Sequence, residues 1–469
     1  MRSRPLILVA FSALLLSSCA VGPNYHRPTL TTPDQFYVEK ATSEAQSLAD
    51  LPWWQLFDDP LLNDLIKQAL QNGFDARTAA WRVEEARARY GIAQSAYFPQ
   101  VDYAGGGSRQ RAAVIPGAPS QVLNVVTANV AFAWELDLWG RIRRLNESAK
   151  AQFLATDEAR RGVLLSLVSD VATAYFQLRE LDNELLIAQN NRDAFQSTYD
   201  LFNRRLEEGA ASGLETSRAQ GALGSVAAAI PETERAILAK ENQINFLLGR
   251  NPQPIPRTSP LPALPPATPP GLPSQLLERR PDVRQAEQLL ISANASVGVA
   301  KADFFPTLSL TGSYGGVSND LSSLLTAGKT WSIGAGLMGP LFHGGAILRS
   351  YQVSKAQWEE SKIQYEETVT TAFGDVSTAL TDRLKLVETV KQKAVSVDAY
   401  REAVRFANVR YLAGKSSYYE VLEAQLDLFP AENALAQSQR DQFLAVVNLY
   451  RALGGGWMVE AAKASSAPP

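Results

Sequence analysis

A chain of 469 residues with 45 basic and 48 acidic side chains carries a formal charge of −3, which leaves no basic surplus for nucleic acid or for a polybasic lipid contact. A single cysteine excludes an intrachain disulfide, and the length admits one large or two medium domains. Two histidines, His26 and His343, with no phosphate loop and no nucleophile elbow, argue against an enzyme.

The chain begins as a targeting signal. Arg2 and Arg4 precede an apolar run from Leu6 to Leu16, too short to span a membrane, and residues 1–18 read as a signal peptide. Leu16, Ser17, Ser18 and Cys19 have the form of a bacterial lipoprotein box, so Cys19 is expected to carry a covalent lipid. Residue 20 is Ala rather than Asp, which suggests delivery to the outer membrane. Residues 19–60 then form an extended, lipid-anchored segment, where Trp53 and Trp54 suit anchoring on helices better than a carbohydrate platform.

Residues 61–97 read as helix, and 99–139 hold two strands. In Val122 to Leu138 the even positions include Val122, Val126, Val130, Phe132, Trp134, Leu136 and Leu138; the odd ones include Thr127, Asn129, Glu135 and Asp137. One face is apolar and the other wet, as a transmembrane barrel strand requires. Helices follow over 141–208 and 214–249. In the first, Leu164, Val168, Val171, Tyr175, Leu178 and Leu185 keep coiled-coil spacing. At 1.5 Å per residue that helix is roughly 100 Å long, far beyond a compact domain.

A proline-rich linker occupies 251–273, where helix and central strand are both excluded. The pattern then recurs: helix over 274–303, two strands in 306–340, helices over 344–413 and 417–453, and a disordered tail over 457–469. Leu308, Leu310 and Tyr314 oppose Thr307, Ser309, Thr311 and Ser313; Trp331, Ile333 and Leu337 oppose Thr330 and Ser332. Tyr97, Phe98, Tyr103, Trp139, Phe304, Phe305, Trp331 and Phe342 sit near strand ends, as an aromatic girdle would.

This recurrence is a duplication. Arg205-Leu206-Glu207-Glu208-Gly209 with Glu215 and Ala219-Gln220 returns about 205 residues later as Arg410-Tyr411-Leu412-Ala413-Gly414 with Glu420 and Ala424-Gln425. Two repeats are expected, 61–250 and 274–456, each ending in a helical hairpin. Gly209 and Gly414 reverse the chain at the two hairpin tips, far from the strands, where a gate would stop a barrel from leaking. Four strands cannot close a barrel and an open edge cannot sit in lipid, so copies must share one; three copies give twelve strands and room for water.

In order along the chain stand Cys19 with Gly22-Pro23-Asn24-Tyr25 and Arg27-Pro28; Trp53-Trp54, Phe57 and Asp59-Pro60-Leu61; Phe98-Pro99; Trp134 to Gly140; Arg279-Arg280-Pro281-Asp282; and Ala424-Gln425. From Cys19 to about Gly456 the chain resembles the outer-membrane efflux proteins of the TolC and OprM type, in their lipoprotein branch. The resemblance implies an α+β membrane protein: four transmembrane strands per chain in a shared twelve-stranded barrel, and a coiled-coil helical barrel in the periplasm. It also implies a homotrimer in outer-membrane lipid, docked to a periplasmic adaptor and to an inner-membrane pump of the resistance-nodulation-division type. No cofactor is expected beyond the lipid on Cys19, and the cargo would be drugs, toxic compounds or ions.

In that family the constriction uses acidic side chains with tyrosine and arginine contacts near the second turn. Arg410 and Tyr411 match in position, whereas Ser416 and Ser417 stand where an acidic residue sometimes follows the turn glycine. Glu420, Glu423 and Asp427 share one helical face and either line the lumen or pair with neighbouring cations. Two other readings stay open: a conduit for type I protein secretion, and a structural envelope-spanning lipoprotein, which would not need amphipathic strands.

Overall fold

The computed structural model describes residues 20–30, 52–53, 56–112, 119–257, 263–265, 276–324, 326 and 328–455. The signal segment 1–18, Cys19, Trp54, most of the linker and the tail 457–469 lie outside the described residues.

The first elements are α1 (Pro60–Asn72) and α2 (Phe74–Ser95), where the pattern predicted one helix. The break falls at Gly73. A Cβ there would stand 2.5 Å from the Ala69 carbonyl and 2.9 Å from that of Leu247, so the closeness of these backbones, invisible to periodicity, divides the helix. At the start of α1, Asp59 accepts the Leu61 and Leu62 amides at 3.0 and 3.2 Å while Pro60 fills the first turn, where its missing N–H costs nothing.

Strands β1 (Gln100–Ala112) and β2 (Gln121–Leu136) form a hairpin and lead into α3 (Arg141–Glu207) and α4 (Gly213–Leu247). After a single helical turn at Leu276–Arg279 come α5 (Pro281–Ala302), β3 (Thr307–Ser318), β4 (Lys329–Met338), α6 (Ala346–Leu412) and α7 (Tyr418–Ala452). Helices α3 and α6 each have 67 residues, and α4 and α7 each have 35, so the duplication extends to element lengths.

The chain divides into two compact units that cut across both repeats. One draws its described residues from Met1–Thr29, Arg82–Asp157 and Gln285–Glu366, the other from Leu30–Trp81, Glu158–Arg284 and Glu367–Pro469. Like parts of the two repeats thus pack with each other.

The first unit is built on an antiparallel sheet in the order β1-β2-β3-β4. Register places Val101, Phe132, Gly312 and Ile333 in one row and Tyr103, Val130, Tyr314 and Trp331 in the next. That shared face is uncovered: Tyr103 is 90% exposed, Trp331 73% and Ile333 78%. On the other face the Ser313 and Ser332 hydroxyls meet at 2.8 Å. Beyond β2, Asp137 accepts the Ile142 and Arg143 amides at 2.9 and 3.0 Å to start α3, and the Trp139 indole donates to the Pro306 carbonyl at 2.7 Å, tying the strand ends of the two repeats.

The second unit carries the apolar core. Leu62, Leu65 and Ile66 of α1 pack with Val171, Tyr175, Phe176 and Leu178 of α3 and with Phe443, Val446 and Leu449 of α7. Val168, Val171, Tyr175 and Leu178, spaced by three and four, are buried, and Leu164 and Leu185 flank them. The Tyr175 hydroxyl donates to Asp59 at 2.8 Å, so one carboxylate caps α1 and satisfies a buried phenol. Of the linker, residues 251–257 run without helix or strand against α3 and α4: Ile255 is buried, and Arg257 pairs with Asp182 at 2.7 Å and Glu241 at 2.5 Å.

Candidate functional site: the paired hairpin turns

The α3–α4 and α6–α7 turns lie within the second unit and reverse direction by the same device. Gly209 and Gly414 take φ of +73° and +69°, a region that costs a side-chain-bearing residue on the order of 1–2 kcal/mol. In each turn the residue after the glycine returns its N–H to a carbonyl five positions back: Ala210 to Arg205 at 2.7 Å, Lys415 to Arg410 at 2.9 Å. This C-terminal cap satisfies carbonyls that the helix end would leave bare.

The helices that leave the turns start differently. Ser212 accepts the Glu215 amide at 3.3 Å, and the Glu215 carboxylate returns to the Ser212 amide at 2.9 Å, a reciprocal cap. Ser417 stands at the equivalent position and makes no side-chain cap. Glu420, the counterpart of Glu215, instead reaches Arg410 at 3.3 Å. The Ser416 hydroxyl is buried and meets no hydrogen-bond partner among the described residues.

Contacts between the two hairpins converge on Tyr411 and Tyr418. The Arg205 guanidinium donates to the Tyr411 hydroxyl and lies 5.2 Å from its ring centre. Tyr411 meets Tyr418 edge to face at 5.1 Å, and Tyr418 meets Phe202 the same way at 4.5 Å. The Tyr418 hydroxyl is 2.5 Å from that of Thr198. Burial pushes the Tyr418 phenol above its ordinary pKa, against a smaller opposing effect of the Thr198 hydrogen bond. Phe195, Ala219, Ala222, Val226, Val421 and Leu422 complete a small apolar cluster. Farther along the helices, Glu432 of α7 takes Arg401 at 2.9 Å and the Asn191 amide at 3.2 Å.

Of the residues the sequence singled out, Arg410 and Glu420 pair at the second turn, Tyr411 meets the first hairpin through Arg205, Gly209 and Gly414 reverse the two turns, and Ser416 and Ser417 follow the second reversal. Glu423 and Asp427 are exposed on α7 and make no ion pair among the described residues. Periodicity did not reveal Arg205, Thr198, Phe202 and Tyr418. A signal for Arg205 was present, because it is the repeat counterpart of Arg410; the other three are linked to their partners only by the packing of distant segments. No group of side chains suited to a metal ion occurs among the described residues.

Comparison with known proteins agrees with this architecture. The family model described as outer membrane efflux protein matches twice, over residues 65–250 and 272–455. The antibiotic efflux pump outer membrane protein ArpC of Pseudomonas putida is 35% identical over 99% of this chain and 98% of its own length. The cation efflux system protein CusC of Escherichia coli is 31% identical over 95% of this chain and 97% of its own. Among solved structures, the outer-membrane channel OprN superposes with a TM-score of 0.87 at 31% identity, covering 94% of this chain and all of that one.

Proposed function

This chain belongs to the outer membrane efflux protein family, and from that premise we propose that three copies pool their strands into one twelve-stranded barrel gated at the hairpin turns. It is an efflux channel of the outer membrane. The observation that carries the trimer is the sheet itself: among the described residues it has four strands, an uncovered apolar face, and unpaired edges at β1 and β4. Unpaired backbone groups cost several kcal/mol each in lipid, and about eight strands are needed to close a barrel, so the edges require further copies. Two copies would fill their lumen with side chains; three leave a water path.

The gate is assigned to Arg205, Arg410, Tyr411, Tyr418 and Glu420, whose contacts tie one hairpin to the other or brace the second turn. Opening then means parting two packed helical hairpins, a shift that a docked partner drives. The partners are a periplasmic adaptor and an inner-membrane pump of the resistance-nodulation-division type, with a lipid on Cys19 holding the chain at the membrane. Relatives with similar chains are named for antibiotics in one case and for cations in another, which favours a conduit whose cargo, drug, toxic compound or ion, is chosen by the pump.

Planar-bilayer conductance tests the reading. Wild type should insert as a trimer with small unitary steps, and the Arg410→Ala, Tyr411→Ala double variant should pass distinctly more current. A trimer in which neither form conducts would remove the channel and leave a spacer.

A further inference from the structure

The outward face of the sheet carries an asymmetry that pore formation does not require. By register and pleat this face comprises the odd positions of β1 and β4 and the even positions of β2 and β3. Gly312 confirms the alignment, since a Cβ there would strike the Phe132 ring, which rises on the same side. Three charged residues occupy it, all cations: Arg109, Arg111 and Lys329. All three lie toward the hairpin loops, and all three are exposed with no partner among the described residues. The strand carboxylates, Asp102 and Glu135, sit on the opposite face and at the other end.

Spacing places these cations at a boundary. On β1 eight residues separate Val101 from Arg109, and on β4 eight separate Lys329 from Leu337. At about 3.3 Å per residue this is roughly 26 Å along the strand, or about 20 Å along the axis of a barrel whose strands tilt by about 40°. The apolar band of an outer-membrane barrel is about 25 Å tall, so Arg109 and Arg111 straddle its far edge; Lys329 shares its row with Gly105, and reaches the same height where rows tilted by about 40° climb by roughly 9 Å over three strands. Between the two ends lie Val101, Tyr103, Trp331, Ile333 and Leu337, all exposed.

The cations also share a lateral position. All three are on β1 or β4, the edges of the sheet, and none is on the two inner strands. A closed barrel joins β4 of one copy to β1 of the next, which gathers Lys329 of one copy with Arg109 and Arg111 of its neighbour. Three like charges at the rim of an apolar band repel unless an anion lies among them, and arginine pairs with phosphate in a two-pronged fashion.

We propose that each seam between copies binds the phosphate groups of an anionic outer-leaflet lipid through Arg109, Arg111 and Lys329. The lipid then bridges two copies, its acyl chains lying along the apolar face and its phosphates on the three cations. This rests on the barrel reading above.

Native mass spectrometry of the full-length trimer in detergent provides the test, with bis-phosphorylated lipid A and its dephosphorylated form as probes. Wild type should retain the phosphorylated form, and the Arg109→Gln, Arg111→Gln double variant should weaken that retention about thirtyfold, taking roughly fivefold per cation near a charged lipid headgroup. Lys329→Gln should weaken it about fivefold. Excess inorganic phosphate should fail to displace the lipid, because the acyl chains hold it to the apolar face. Displacement by phosphate alone overturns the lipid assignment. Equal retention of both probes by a trimer that conducts in bilayers, or a preference unchanged in the variants, overturns the site while leaving the channel intact. A chain that neither trimerises nor conducts takes the barrel and this site down together.

Discussion

The two hairpin turns begin from the same glycine reversal and end as different machines. At the first, Ser212 and Glu215 cap each other and the helix start is complete within its own chain segment. At the second, Ser417 caps nothing, Glu420 turns to Arg410, and two tyrosines stand where the first repeat has Leu206 and Gly213. The asymmetry runs the other way as well, since Phe202 of the first hairpin corresponds to Ala407 in the second. One turn closes locally, while the other makes contacts to its sibling.

The largest expected effect comes from emptying the shared cluster. Phe202→Ala should cost about 3–5 kcal/mol of local stability, the usual penalty for truncating a buried aromatic ring. Hydrogen exchange should show faster opening at the second turn, around Tyr418, than at the Ser212 cap; equal acceleration at both would erase the distinction.

Alkaline pH separates the turns next. The folded pKa of Tyr418 is raised, so its neutral form is the one the fold favours. Its contribution is complete below the unfolded value of ~10 and declines as pH rises above that, by up to about 1.4 kcal/mol per unit. Opening at the second turn, read from exchange after removing the base-catalysed rise common to every amide, should therefore increase as pH climbs above ~10, and Tyr418→Phe should remove that increase. The first turn has glycine at this position and should show only the base-catalysed rise.

Capping offers a finer test. Ser212→Ala should destabilise the start of α4 by about 1 kcal/mol, whereas Ser417→Ala should change α7 by a few tenths at most. Comparable losses in thermal or denaturant unfolding of the two variants would mean that Ser417 caps after all. The smallest effect belongs to Arg410 and Glu420, whose side chains are 56% and 45% exposed. A double-mutant cycle should return a coupling below about 0.5 kcal/mol that fades in high salt.

Much of this molecule could be read from residue order alone. Alternation located β2, β3 and β4, and Gly209 and Gly414 announced both reversals, because period and backbone conformation are local properties. What escaped was non-local. Gly73 splits a continuous pattern because the Leu247 carbonyl comes close from another helix, and Tyr418 finds Thr198 from 220 positions away. Arg410 was legible as a position but not as a contact: Tyr411 takes its arginine from the other repeat, through Arg205.

The matched lengths of α3 and α6 set a rule for how this protein can vary. Each residue added to a helix advances everything beyond it by 1.5 Å and turns it by about 100°, so one insertion in α3 would carry Arg205 off the face that meets Tyr411. Substitutions at the exposed positions of these helices are cheap by comparison. Descendants of this chain are therefore free to change their letters, while any change in the length of one helix has to be answered in the other, and in steps that restore the rotational phase.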